Sequence, residues 1–315
     1  MKRIIIILVM LILGFQNSKA QQLPQFTQYM YNTIAINPAY DGSREVLSIV
    51  ALGRNQWVGF NGGPQTQTLS INSPLRNEKI GLGLSLINDK AGFENFTYAY
   101  ADFSYTINLS EATKLSFGLK AGGTFYKLAD ELYNGVRTYS GGSFTNEPDL
   151  YFSDRLDRWN FNMGAGVLFH SDRWYVGYSI PRFINHDLNN QTEYAALETI
   201  HHYLITGYVL DVSKSVKFKP SVLWKYTDGA PMSTDLTANF LFNEKFWLGA
   251  SYRTNGKQAA FGALVDFQVT QQFRVGYTYE LPTGEIRPYT SGSQEILLMY
   301  EFRFTKNKLK SPRYF

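Results

Sequence analysis

Hydrophobic and polar positions alternate with a period of two along most of the chain, and the stretch from Ser233 to Arg253 shows it most plainly. Leu236, Ala238, Phe240 and Phe242 alternate there with Thr237, Asn239 and Leu241. Beyond Asn243, Glu244 and Lys245, Phe246, Leu248, Ala250 and Tyr252 alternate with Trp247, Gly249, Ser251 and Arg253. A period of two is the signature of a strand with two unlike faces, so the stretch predicts a hairpin. Each arm has roughly 9–11 residues, the length a tilted strand needs to cross a bilayer. From Val46 onward the unit recurs as about fourteen strands, centred on Ile49, Leu69, Leu84, Tyr100, Leu119, Ala165, Val176, Ile205, Val222, Phe240, Ala250, Ala263, Gly276 and Leu298.

The connections carry an independent signal. Those after even-numbered strands are short, as at His170 to Arg173 and Asp211 to Ser215, whereas the long ones, Leu128 to Arg158 and Pro181 to Thr199, follow odd-numbered strands. Such alternation predicts one short-looped and one long-looped rim, the arrangement of outer-membrane barrels with periplasmic turns and extracellular loops. An even strand count places both termini on the short-looped, periplasmic side.

The faces follow from the alternation. Val216, Phe218, Val222, Trp224 and Tyr226 point to lipid while Lys217, Lys219, Ser221 and Lys225 point inward, because a lipid-facing lysine at mid-membrane costs roughly 2–4 kcal/mol. The same rule turns Asp102, Lys120, Asp266, Arg274, Glu280 and Glu301 inward. An open sheet in lipid exposes unpaired N–H and C=O groups, so the strands must close on themselves. Gly81, Gly83, Gly118, Gly122, Gly164, Gly166, Gly177, Gly249, Gly262 and Gly276 also fall on the inward face. The favoured reading is strain relief in a curved sheet. The other is room for a lumen occupant, either the amino-terminal segment or a partner polypeptide.

Composition narrows the class. Among 315 residues, 16% are aromatic, with 22 Tyr and 23 Phe, but only 18% are charged. The mean hydropathy of −0.24 is too polar for a helical membrane protein, while the aromatic content suits lipid-facing girdles. Lys2 and Arg3, the apolar run Ile4 to Phe15 and the polar stretch ending Ser18, Lys19, Ala20 form a secretory signal, with cleavage expected after Ala20. Without cysteine there is no disulfide framework and no lipoprotein anchor on that residue. Removal of Lys2, Arg3 and Lys19 takes the 30 basic residues to 27, against 26 acidic ones, so the net charge falls from +4 to +1. Nucleic acid is not an expected partner.

The segment Gln21 to Gly42 does not alternate. Phe26, Tyr29, Met30, Thr33 and Ile34 fall at helical spacing before NPAYDG breaks the pattern, which predicts a short helix followed by a tight turn. The segment either packs unremarkably or plugs the lumen, where Tyr29, Tyr31 and Tyr40 offer apolar bodies with polar tips. The expected organisation is a signal peptide at 1–20, a plug or entry segment at 21–45, a closed all-β antiparallel transmembrane barrel at 46–304 and a basic periplasmic tail at 305–315.

No catalytic or cofactor chemistry is evident. His170, His186, His201 and His202 lack metal-ligand spacing, and the adjacent pair points to opposite faces of a strand. Neither a nucleophile elbow nor a phosphate-binding loop occurs. A barrel hydrolase could still assemble a Ser or Thr near His201. Asp149, Asp154 and Asp157 could meet a hard cation, but they lie in a loop with interleaved Arg155 and Arg158 that reads as solvated surface. No metal site and no cofactor is expected.

Several stretches together resemble the PorP/SprF family of outer-membrane proteins associated with type IX secretion. They are QFTQYMYNTIAINPAYDG at the start, RNQW at Arg54 to Trp57, GLGLSLINDKAG from Gly81, LSFGLKAGGTFY from Leu115, HHYLITGYVLDVSKSVKFKPSVLWKY from His201, FWLGASYR from Phe246 and GSQEILLMYEF ending at Phe302. The resemblance implies a non-enzymatic barrel in the outer membrane of a Gram-negative bacterium. It also implies secreted cargo proteins, often adhesins, and periplasmic type IX secretion components as partners, alongside outer-membrane lipid; some relatives support gliding motility. Expected contact regions are the entry motif, with Asn37, Pro38, Ala39, Tyr40 and Gly42, and the tail, with Lys306, Lys308, Lys310, Arg313, Tyr314 and Phe315. The alternative is a fatty-acid-type transporter or porin, since an amino-terminal NPA before about fourteen strands also fits that class. The inward charges argue against its apolar tunnel.

Overall fold

Fourteen strands form, one around each predicted centre, because alternating apolar residues can face lipid only if every backbone group is paired within the sheet. They are β1 (Leu47–Asn55), β2 (Gln65–Pro74), β3 (Ile80–Ala91), β4 (Glu94–Asn108), β5 (Thr113–Leu128), β6 (Asp157–Ser171) and β7 (Trp174–Ile180) in the first half. The second half holds β8 (His201–Tyr208), β9 (Val216–Thr227), β10 (Ser233–Phe242), β11 (Phe246–Thr254), β12 (Ala259–Gln268), β13 (Phe273–Pro282) and β14 (Ser293–Phe302). The computed structural model describes residues 24–75, 78–129, 136–140, 143–147, 157–187, 197–256 and 258–302. The expected signal peptide at 1–20, the tail with Lys306, Lys308, Lys310, Arg313, Tyr314 and Phe315, and the loop acids Asp149 and Asp154 lie outside them.

Each strand pairs antiparallel with the next, and β14 returns to β1, where Leu47 faces Phe302 and Asn55 faces Gln294. The sheet is therefore a closed up-and-down barrel with no free edge. After Val209, the two-residue strand Leu210–Asp211 continues the β8–β9 pairing in the same register, Gly207 facing Ser221 and Leu210 facing Phe218. Separate two-stranded pairings, Val136–Ser140 with Ser143–Glu147 and His186–Asp187 with Leu197–Glu198, sit in the two long loops. At the short-looped rim Asp211 takes hydrogen bonds from Lys217 and Arg173, which hold its carboxyl below the usual range.

Burial separates the two faces as predicted. Leu82, Leu84, Phe103, Leu119, Phe261 and Leu298 are exposed to the lipid side, whereas Asp102, Lys120, Lys219, Lys225, Asp266, Glu280 and Glu301 are buried inside. Leu298, midway along β14, gives a direct test: Leu298→Arg should cost roughly 2–4 kcal/mol. Unfolding in lipid vesicles would measure it, and an unchanged midpoint would place Leu298 away from the membrane.

The inward surface is not uniformly polar. Val50 and Leu52 on β1 and Leu297 and Met299 on β14 are buried inside the barrel, although their neighbours on the same strands face outward. Leu168, Tyr175, Tyr203, Ile205 and Leu223 extend this apolar surface across β6 to β9, and it packs against the amino-terminal segment. Burying one such side chain contributes about 1.5–3 kcal/mol, so the segment and the wall form a single core.

Candidate functional site

The lumen is filled by the chain's own amino-terminal segment. Phe26 to Ile34 are all buried, as are Ile36 to Asp41 and Arg44. The expected short helix is replaced by two 3-10 turns, Thr33–Ala35 and Pro38–Tyr40. Helical spacing marks one apolar stripe only where the opposite side meets water. Inside the barrel no such side exists, and Thr27, Gln28 and Asn32 are as buried as Tyr29 and Ile34.

The segment runs the length of the lumen. At one end Thr27 lies against Arg54, at the far end of β1, and Gln28 against Glu295 on β14, while Pro24 lines a cavity with Trp57, Asp89 and Pro282 at the long-looped mouth. At the other end Asp41 and Gly42 meet Gly81 and Pro74 at the short-looped rim. The strand count does place both ends of the barrel wall, Leu47 and Phe302, on the short-looped rim. Pro24 nevertheless sits at the opposite mouth, because the plug runs antiparallel to β1.

The entry motif is legible residue by residue. The Asn37 side chain accepts from the Ala39 N–H at 2.9 Å, capping the second turn, while its Nδ2 donates to the Val167 carbonyl at 3.2 Å on the wall. Pro38 occupies the first turn position, where its missing N–H costs nothing. Ala39 is fully enclosed, and a Cβ on Gly118 would collide with its backbone nitrogen and lie 2.6 Å from its Cα. Tyr40 accepts from Arg44, which pairs with Glu301 at 2.7 Å. Ser104 donates to the Asp41 carbonyl at 2.7 Å, and Gly42 turns the chain toward β1 with a φ of +73°.

The same geometry revises the favoured reading of the inward glycines. A Cβ on Gly81, Gly83, Gly118, Gly166, Gly177 or Gly276 would strike the plug: Asp41 at the first two, Ala39 at Gly118, Asn37 at the next two and Gln28 at the last. These six make room for the amino-terminal segment. Gly122, Gly164, Gly249 and Gly262 meet other parts of the barrel instead.

Charged groups hold the long-looped end. The Glu295 carboxylate accepts from the backbone N–H groups of Thr27 and Gln28 at 2.9 and 2.7 Å and pairs with Arg54 at 3.2 Å. Arg54 also pairs with Glu280 at 3.0 Å, and Glu280 accepts from the Thr27 hydroxyl at 2.7 Å. Arg253 bridges Glu280 and Asp235 and donates to the Phe26 carbonyl at 3.1 Å, and Lys225 closes the chain on Asp235 at 2.9 Å. Three acids thus face three bases. Sheet register explains the proximity, since Arg54 lies directly opposite Glu295 and Asp235 opposite Arg253. Asp102 and Lys120 are likewise opposite each other and pair at 2.6 Å. The parity of Arg54, Asp235 and Glu295 along their strands was the available signal; their convergence depends on closure of the ring.

Three of the four histidines make local contacts. His201 is buried with Nδ1 2.9 Å from the Thr199 carbonyl, and His202, on the other face, lies 2.7 Å from the Tyr178 hydroxyl. His186 contacts the Phe161 carbonyl at 2.8 Å. Among the described residues no group of His, Asp and Glu is arranged to hold a metal ion, and no helix is long and apolar enough to cross a membrane. Asp157 is exposed at the start of β6.

Against known families, residues 18–300 match the model described as type IX secretion system membrane protein PorP/SprF. The chain belongs to the PorP/SprF family. No curated protein sequence matches it. Among solved structures it is similar to the CymD monoaromatic hydrocarbon channel, with 12% identity, a TM-score of 0.52 and coverage of 89% of this chain and 94% of the other. It also resembles a Pseudomonas aeruginosa FadL homologue, with 12% identity, a TM-score of 0.46 and coverage of 91% and 96%. At such identities the likeness to CymD establishes a shared barrel fold and nothing about cargo. Fold and family together place the PorP/SprF chain in the outer membrane.

Proposed function

We propose that this PorP/SprF barrel is a non-enzymatic component of type IX secretion that partners the export or surface attachment of particular secreted proteins, adhesins among them. Family membership across residues 18–300 carries the reading. In this reading the short-looped rim faces the periplasm, where secretion components meet the basic tail Lys306 to Phe315, and Asn37 to Gly42 form a contact region when the plug moves. The lack of a ligand-sized apolar space among the described residues supports it over the small-molecule transporter. The space lined by Phe26, Ile36, Ile87, Tyr98 and Tyr203 holds about 40 Å³, far below the roughly 300 Å³ of a ligand pocket, and the larger vestibule at the long-looped mouth is lined by charged groups such as Asp89, Arg253 and Glu280.

A mild-detergent pull-down of the tagged protein from its own outer membrane tests this. A large secreted protein or a periplasmic secretion component should copurify and be lost when Lys306 to Phe315 are deleted. Recovery of the barrel with bound acyl chains and no polypeptide would move the assignment to a transporter.

A further inference from the structure

We propose that the lumen is a binding site for polypeptide main chain, that residues 24–45 are its resident and removable occupant, and that a segment of a partner polypeptide can take their place. Naming a partner's segment as the second occupant rests on the secretion reading; the site itself does not.

Besides its bonds to plug side chains such as Tyr31 and Asn32, the wall addresses the backbone of the plug directly. Glu295 takes two successive N–H groups at 2.9 and 2.7 Å, Arg253 reaches the Phe26 carbonyl at 3.1 Å, and Ser179 and Ser104 each donate at 2.7 Å to the carbonyls of Ile36 and Asp41. Every polypeptide carries such groups, so recognition by them tolerates a change of sequence. Glycines supply the shape, by leaving space along the wall where any Cβ would strike the occupant's backbone or short side chains.

The fit is also incomplete in a way that favours release. Both polar atoms of the Gln28 side chain and both oxygens of the Asp41 carboxylate are buried without a hydrogen-bond partner among the described residues. Each such polar group opposes burial. The plug forms no ladder with any barrel strand, so it can leave without opening the sheet. A vestibule of about 320 Å³, lined by Pro24, Gln25, Trp57, Arg253 and Glu280, gives room at the long-looped mouth where a chain would enter or leave.

Single-channel recording on the full-length protein in a planar bilayer tests the proposal. The native chain has no cysteine, so Asn32→Cys with Ser70→Cys, whose native side chains meet at 2.7 Å, provides the sole thiol pair. We expect rare openings in the parent and in the untreated double variant. A short thiol crosslinker with a cleavable disulfide should reduce opening at least tenfold, and reductant should restore it. A synthetic peptide of residues 24–45, added on the long-looped side, should block the openings at least tenfold. No openings, openings that survive the crosslink, or openings indifferent to the peptide would each overturn the proposal. None of these readouts uses cargo, so a peptide-blocked channel that captures no secreted protein would refute the secretion reading alone.

Discussion

Glu295→Ala should free the amino-terminal segment while leaving the barrel closed. The carboxylate is fully buried, accepts two plug N–H groups and faces Arg54 across the β1–β14 ladder. Its removal strands two buried donors, each at a cost of about 1–3 kcal/mol, and leaves Arg54 with Glu280 as its remaining carboxylate in the pair network. Removing one member of a buried ion group typically costs about 3–5 kcal/mol. Fourteen strands still pair around the ring, so the penalty falls on the plug. Limited proteolysis should then cut between residues 24 and 45 in a barrel whose gel mobility still shifts on heating. Glu295→Gln, which keeps an acceptor oxygen but loses the charge, should give an intermediate rate. Equal protease resistance in Glu295→Ala and the parent would mean that the apolar core of Tyr29, Ile36 and Ala39 against Leu168, Ile205 and Leu297 holds the segment unaided.

The barrel was legible in the sequence because its period of two is imposed residue by residue, and because inward charges such as Lys120 and Glu280 fix which parity faces lipid. Two things escaped for physical reasons. Where the plug packs, both faces of a strand become apolar; Ile49, Val50, Ala51 and Leu52 then read as a plain hydrophobic run with no inward polar signal. The plug's own turns escaped because spacing from Phe26 to Ile34 encodes a helix only when one side is wet, and here both sides are wall. The ion network was half visible. Each charge lay at inward parity, but Arg54 and Glu280 are 226 residues apart in sequence, and only closure and register bring them together. The contact role of Asn37 to Gly42 stands as proposed above. The structure adds a second demand on that motif, since Asn37, Pro38, Ala39 and Tyr40 are buried against the wall and a partner can reach them only after the plug moves.

Gly118→Ala separates the two explanations for the inward glycines. On β5 the added methyl would meet the backbone nitrogen of Ala39, and backbone held by the Asn37 cap and Pro38 has no rotamer by which to yield. Overpacking of this kind costs about 1–3 kcal/mol, and the upper end applies because the turn is pinned on the Gly166 and Gly177 side as well, through Asn37. Gly166→Ala should be milder, since the clash there is with the Asn37 side chain. Gly123→Ala is the control, as its Cβ would come no closer than 3.1 Å to its neighbours on the adjacent strand and would not touch the plug. If the glycines exist to seat the plug, Gly118→Ala alone should expose residues 24–45 to protease, while Gly123→Ala, whose tight contact is with the Asn160 carbonyl, should leave the segment protected and lower the unfolding midpoint less. If they serve sheet curvature, both alanines should behave alike, because each removes the same backbone freedom from the same strand.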